Sequence, residues 1–221
     1  MHKDSRGQPA KRMLFKLAQS GTGTYLDAPR DLVDLFFYAR AYHHTGRKLA
    51  AAPPQGGLSR DFEALPILFL YRHALELYLK SLLVFGTGLH EAKGLHRPPI
   101  DTLLKSHRLS DCLPELKKLS NDAGWGWAAS DESLNSFKDL ERCVNDLDRV
   151  DQLSYAFRYP VDKQGRPSLQ NNLSFSLPDF CAQMDRVLSG LHEIALGLDL
   201  AAHYESEAHF FEGRNRGDHE A

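Results

Sequence analysis

The stretch from Leu65 to Phe85 constrains this chain more than any other: it is apolar nearly all the way round a helix, yet carries Arg72, His73, Glu76 and Lys80. It is about long enough to cross a bilayer. Four ionisable groups would be very costly in lipid, so the sequence predicts a helix buried in protein and no membrane span. Arg72, Glu76 and Lys80 follow one another at i,i+4 and share a stripe, with His73 one step round. Two readings follow. The stripe is an exposed face carrying surface ion pairs worth a few tenths of a kcal/mol each, or it is a polar groove inside a helical domain, where Arg72 and Glu76 hold a buried network or an anionic ligand. Convergence of Arg72, Glu76, His107 and Arg158 in one cleft would favour the second.

The flanking sequence supplies further helices. Residues 1–24, rich in Lys, Arg, Gly and Ser/Thr, read as a flexible tail. A single helical domain is expected over 25–211 and a polar tail over 212–221. Asp27 and Pro29 start a first helix that runs to Ala51 and is broken by Pro53, Pro54, Gly56 and Gly57. Ser59 caps a second, expected to stop at Gly86 and Gly88. Leu89 to Lys105 reads as an irregular connection, Leu109 to Leu119 as a third helix and Ser130 to Val150 as a fourth. The acidic side of the fourth (Asp139, Glu141, Asp146, Asp148, Asp151) is expected to face water. Aromatic alternation around a turn over 152–176 suggests a hairpin or an irregular flap, and Pro178 opens the last helix, to about His209. The fold class expected is all-α: an antiparallel four- to five-helix bundle with that flap before the last helix.

Composition narrows the function. A 42% apolar content supports a sizeable core, and 27 Lys and Arg against 29 Asp and Glu leave a net charge of −2. That balance argues against a dedicated non-specific nucleic-acid binder while allowing a local basic surface. Cys112, Cys143 and Cys181 are scattered, with no CxxC pair, so free buried thiols in a reducing, cytoplasmic setting are expected. The N-terminus shows no signal-peptide pattern. His90, His96 and His107 near Glu91, and His203, Glu205, Glu207 and His209, are spaced too loosely to call for a metal. No cofactor is indicated: P-loop, GxGxxG, GxSxG and HExxH patterns are all missing.

The string Tyr71-Arg72-His73-Ala74-Leu75-Glu76-Leu77-Tyr78-Leu79-Lys80, then Ser106-His107-Arg108-Leu109, then Phe157-Arg158-Tyr159-Pro160 with Asp162 and Gly165, resembles bacterial members of the HEPN superfamily (higher eukaryotes and prokaryotes nucleotide-binding). The resemblance covers about residues 60–160 and the final helix. It implies a four- or five-helix bundle, often dimeric, and in many members metal-independent RNA cleavage in toxin–antitoxin or phage-defence settings. The ribonuclease members carry Arg, four to six residues, then His near the start of the last helix. Arg186 and His192 match that spacing, but Val187 stands where a polar residue commonly follows, and the pair lies well into the helix. Six residues turn a helix by about 600°, which leaves the two about 120° from eclipsed. A second match, Arg214-Asn215 with His219, falls in the tail.

The chemistry such a pair would supply is a base for the 2′-hydroxyl and a cation for the phosphorane. His107, Arg108, Arg158 and Asp162 are alternative members of a polar centre with Arg72, His73, Glu76 and Lys80. Arg158 between Phe157 and Tyr159 offers a guanidinium beside aromatic faces, an arrangement used to bind RNA and nucleotides; the alternative is a flap whose aromatics cap the core and whose Arg pairs with a helix carboxylate. The expected function is binding and cleavage of RNA, or binding of a nucleotide, by a homodimer. The competing expectation is a non-catalytic module for dimerisation or for docking a partner protein.

Overall fold

The computed structural model describes residues 32–52, 60–127, 134–169 and 172–217. These residues are mostly helical and form no β-ladder, so the fold class is all-α. The elements in chain order are α1 (Asp34–Ala51), α2 (Arg60–Ala92), the short α3 (Asp101–Lys105), a 3-10 turn (Leu109–Cys112), α4 (Leu113–Ala123), α5 (Phe137–Val150) and α6 (Leu177–Gly217). The expected N-terminal tail lies outside the described residues, as does the start of the first helix at Asp27 and Pro29. No described helix is long and apolar enough to cross a membrane.

Helix α2 is the centre of the core. Tyr71, Ala74, Leu75, Tyr78, Leu79, Leu82 and Leu83 are all essentially inaccessible, because α1, α4 and α6 pack around it. Phe36 of α1 meets Tyr78 of α2, and His43 meets Tyr71, so α1 runs opposite to α2. Tyr71 reaches Asp185 of α6 and Tyr78 reaches His192, so α2 and α6 run the same way. A parallel pair is possible because the long excursion through α3, α4 and α5 returns the chain to its starting end.

Several boundaries differ from expectation. Helix α2 does not stop at Gly86 and Gly88 but continues to Ala92. A Cβ at Gly86 would lie 2.6 Å from the Trp125 ring, so that glycine admits an indole. The stop is Gly94, at φ 72°, with its N–H and that of Leu95 closing on the carbonyls of Glu91 and His90. The fourth helix starts at Phe137 rather than Ser130, with the Ser136 hydroxyl accepting from Asp139 N–H. Helix α6 runs on to Gly217, past the expected end near His209. Over 152–176, the described residues hold one isolated bridge, Val161 to Pro167, the irregular form of the two expected.

Helix α1 is clasped to α2 and α6 by polar side chains. His43 Nε2 and the Tyr71 hydroxyl both lie within 2.9 Å of Asp185 Oδ1, and Arg47 Nε is 3.6 Å from Oδ2. Burial pushes the His43 imidazole below its ordinary value of 6.5, against the opposing pull of Asp185, and burial and then Arg40 push His192 the same way. The unfolded chain therefore binds protons more readily at these sites than the folded one. Their contribution to stability is complete above 6.5 and is lost as pH falls through the folded values. Urea unfolding is expected to show falling stability from about pH 7.5 to about pH 5.5, with a shallower slope in His43→Gln. Equal slopes in the two proteins would remove His43 from the account.

Candidate functional site

The stripe on α2 is not an exposed face. Arg72, Glu76 and Lys80 are at most 6% accessible, which sets aside the surface ion-pair reading. Arg72 is a fully buried hub: its Nε donates to the Asp151 carbonyl at 2.9 Å, Nη1 to Glu76 Oε2 at 3.2 Å and Nη2 to the His107 carbonyl at 2.8 Å. The Asp148 and Asp151 carboxylates stand 4.0 and 3.4 Å from the guanidinium. These two aspartates, expected to face water, are buried because they do structural work. Asp148 accepts the N–H groups of Leu109 and Ser110, which start the 3-10 turn, and Asp151 Oδ1 accepts those of Tyr155 and Ala156.

Glu76 completes the centre. Its Oε1 accepts from Lys80 Nζ and from His107 Nδ1, both at 2.9 Å. Burial alone would raise this carboxyl, but the hydrogen bonds and charges of Lys80 and His107 outweigh it and hold the group below its ordinary range. Glu76 is therefore an ionised carboxylate at neutral pH. The buried centre ties two loops, 106–110 and 151–158, to one helix, and of its carboxylate oxygens Asp151 Oδ2 has Arg72 Nε at 3.4 Å but no hydrogen bond. Those loops carry further polar and aromatic side chains.

What they carry is exposed. The His107 side chain is 60% accessible although its Nδ1 turns inward to Glu76. Arg108 is half-exposed, and the Gln152 carboxamide, oriented with its oxygen toward it, accepts from Nε and Nη2 at 3.1 and 3.0 Å. Arg158, exposed, lies over the rings of Phe69, Tyr155 and Tyr159 at 5.5–5.6 Å, with its Nε donating to the Ser154 carbonyl. His73 stacks on the same Phe69 at 5.5 Å and stays largely neutral, its pKa lowered first by burial and then by Arg158, against the pull of Glu76. Lys163 Nζ sits 5.8 Å from Tyr155. Phe157 points the other way, into the interior.

The other predicted residues lie apart from this surface. Asp162 is taken up by its own turn: its carboxylate accepts from the N–H groups of Gln164 and Arg166 and pairs with the Arg166 side chain. Arg186 is exposed on α6, while His192, two turns on, stacks on Phe36 at 4.9 Å with Nδ1 3.3 Å from the Tyr78 hydroxyl. The cation whose field reaches His192 is Arg40 of α1 rather than Arg186. His219 falls outside the described residues. No three His, Cys, Asp or Glu side chains among the described residues converge as a metal-ligand set. All three cysteines are free and buried, with Cys112 and Cys143 pushed up to about 12 by burial.

Sequence reasoning passed over Phe69, Tyr155, Asp148 and Asp151. The first two read as core and flap aromatics, and the aspartates were indistinguishable from solvated neighbours on α5. No family model, curated protein or solved structure matches the chain.

Proposed function

We propose that this chain is a HEPN-type helical bundle that binds single-stranded RNA on the surface formed by Phe69, Tyr155, Arg158 and Tyr159. The observation that carries the reading is the exposed Arg158 guanidinium lying over three aromatic rings. Unstacked bases bind on aromatic faces and on guanidinium planes, while the cation meets the phosphate. Tyr159 is 50% exposed, which leaves a ring for a base. Lys163, 5.8 Å from the Tyr155 ring, adds a second cation to this surface. A duplex offers no free base faces, so single strands are the preferred ligand. The net charge of −2 fits a local patch better than a protein-wide electrostatic grip.

The test is fluorescence anisotropy with a labelled single-stranded RNA and a duplex of the same sequence, at several salt concentrations. Arg158→Ala and Tyr159→Ala are each expected to weaken single-strand binding about tenfold, within the ~1–3 kcal/mol of one stacked base. Wild-type protein that does not bind, or variants that bind as well as wild type, would overturn the reading.

A second reading, homodimerisation or docking of a partner protein, has its own support. Leu196, Leu200 and Tyr204 follow one another at i,i+4 on α6 and are 49%, 54% and 61% exposed. A row of this kind is a helix face suited to a second helix. Leu200→Glu is expected to convert a dimer to monomer in sedimentation velocity; a wild-type monomer at high concentration would discard the homodimer.

A further inference from the structure

We propose that the cleft between α5 and α6, floored by Leu68 of α2, binds a small uncharged molecule with an apolar body and a hydrogen-bonding head. Short-chain alcohols and indole-sized aromatics are the class it fits. The site stands apart from the RNA-binding reading. Phe157 lines the cleft, whereas Phe69, Tyr155, Arg158 and Tyr159 do not.

The depth of the cleft sets the body of the ligand. Leu68, Leu147, Phe157 and Met184 line it and are buried. Cys143 adds a thiol that burial pushes up to about 12, so it is uncharged at neutral pH. Its Sγ meets Met184 Sδ at 3.6 Å, which spends the thiol hydrogen within the wall. An ordered water needs about two to four polar partners, and these five side chains offer it no unused donor. An apolar guest is therefore favoured over water.

Size narrows the guest further. The cleft holds about 200 Å³, roughly a third more than the ~150 Å³ of an engineered apolar cavity that takes up benzene. That is room for a substituted ring, two fused rings or a short chain, and too little for a sterol or a long acyl chain. The open side is walled by the non-helical residues 172–176, where Leu173 and Phe175 border the cleft yet are 42% and 47% exposed. A bound apolar molecule would take further surface of both away from water, which favours occupancy. The end of this wall is fixed, since the Ser176 carbonyl and hydroxyl accept the N–H groups of Phe180 and Asp179.

The mouth sets the head. Its polar side chains are Asp146, Ser174 and Gln183, all exposed. The Asp146 carboxylate repels an anionic head, so a fatty-acid carboxylate fits worse than a hydroxyl or an indole N–H. Either of those can donate to Asp146, and a hydroxyl can also accept from the Gln183 carboxamide.

The experiment titrates the full chain with indole, 1-hexanol and hexanoate, reading heat by calorimetry and the shift in thermal unfolding. Expected are saturable one-site binding of indole and 1-hexanol, a rise in Tm with each, and affinity for hexanoate about tenfold lower or worse, because its charge must lose water beside Asp146. Gln183→Trp and Ser174→Trp each place an indole at the mouth from an exposed position. Both variants should fold as wild type does and lose binding of 1-hexanol by about tenfold or more. Absence of saturable binding in wild type overturns the proposal, as does equal affinity in wild type and both variants, which would put the ligand elsewhere. Hexanoate bound as tightly as 1-hexanol overturns the assignment of the head. A dimer that Gln183→Trp dissociates, with no ligand bound, would give the cleft to a second copy of the chain and overturn the proposal too.

Discussion

Arg72→Met is expected to lower the unfolding free energy by about 3–5 kcal/mol, the cost of leaving buried charge without its partner. Methionine fills similar volume, so the loss is electrostatic rather than a cavity. Three carboxylates, on Glu76, Asp148 and Asp151, would lose the guanidinium that faces them, and the carbonyls of His107 and Asp151 would lose a donor. Lys80 remains to Glu76 alone. The control is Arg149→Met: that arginine pairs with Asp146 at 3.0 Å, but its side chain is 79% exposed, and its loss is expected to cost less than about 1 kcal/mol. Urea titration of both variants checks the pair. A change below about 1 kcal/mol in Arg72→Met would mean that the centre is far better hydrated than its geometry implies. Because the same guanidinium fixes the 106–110 and 151–158 loops, the proposed RNA-binding role predicts that an Arg72 variant that still folds also loses RNA affinity.

Gly190→Ala is expected to destabilise by about 1–3 kcal/mol, the usual cost of overpacking, although alanine is the better helix former by about 1 kcal/mol. A Cβ at Gly190 would lie 2.6 Å from Leu134 Cβ and 2.8 Å from Leu134 N. The second contact decides the sign, since a backbone atom at the approach to α5 cannot rotate away. Gly197 lies on the same helix with nothing within 4 Å of its would-be Cβ. There the propensity stands alone, and Gly197→Ala should stabilise by about 0.5–1 kcal/mol. Opposite signs in thermal unfolding would confirm that close approach, not helix propensity, sets the first value. Matching signs would show that the Leu134 backbone and α6 are not so closely fitted.

Periodicity and punctuation were read where the physics is local. The apolar runs of α1, α4, α5 and α6 and the breaks between them depend on residues a few positions apart. The centrality of the Leu65–Phe85 helix was legible because a segment apolar all round has nowhere else to go. Gly86 misled because a glycine that ends a helix and one that admits an indole look alike in sequence; the indole of Trp125 comes from a distant segment. The expected start of the fourth helix at Ser130 is displaced because the Ser136 hydroxyl, six residues on, takes the N-terminal N–H of Asp139.

The sequence by itself determined that this protein is helical and that a polar stripe runs along its most apolar helix, since both follow from spacing along a single element. Only the tertiary structure decided that the stripe is buried, that Asp148 and Asp151 leave the solvated face of α5 to join it, and that Arg158 stands over Phe69 of α2. Those outcomes depend on which distant segments meet. The desolvation cost of a buried guanidinium is tolerable only once three carboxylates and three carbonyls, as many as eighty residues away, have been brought to it.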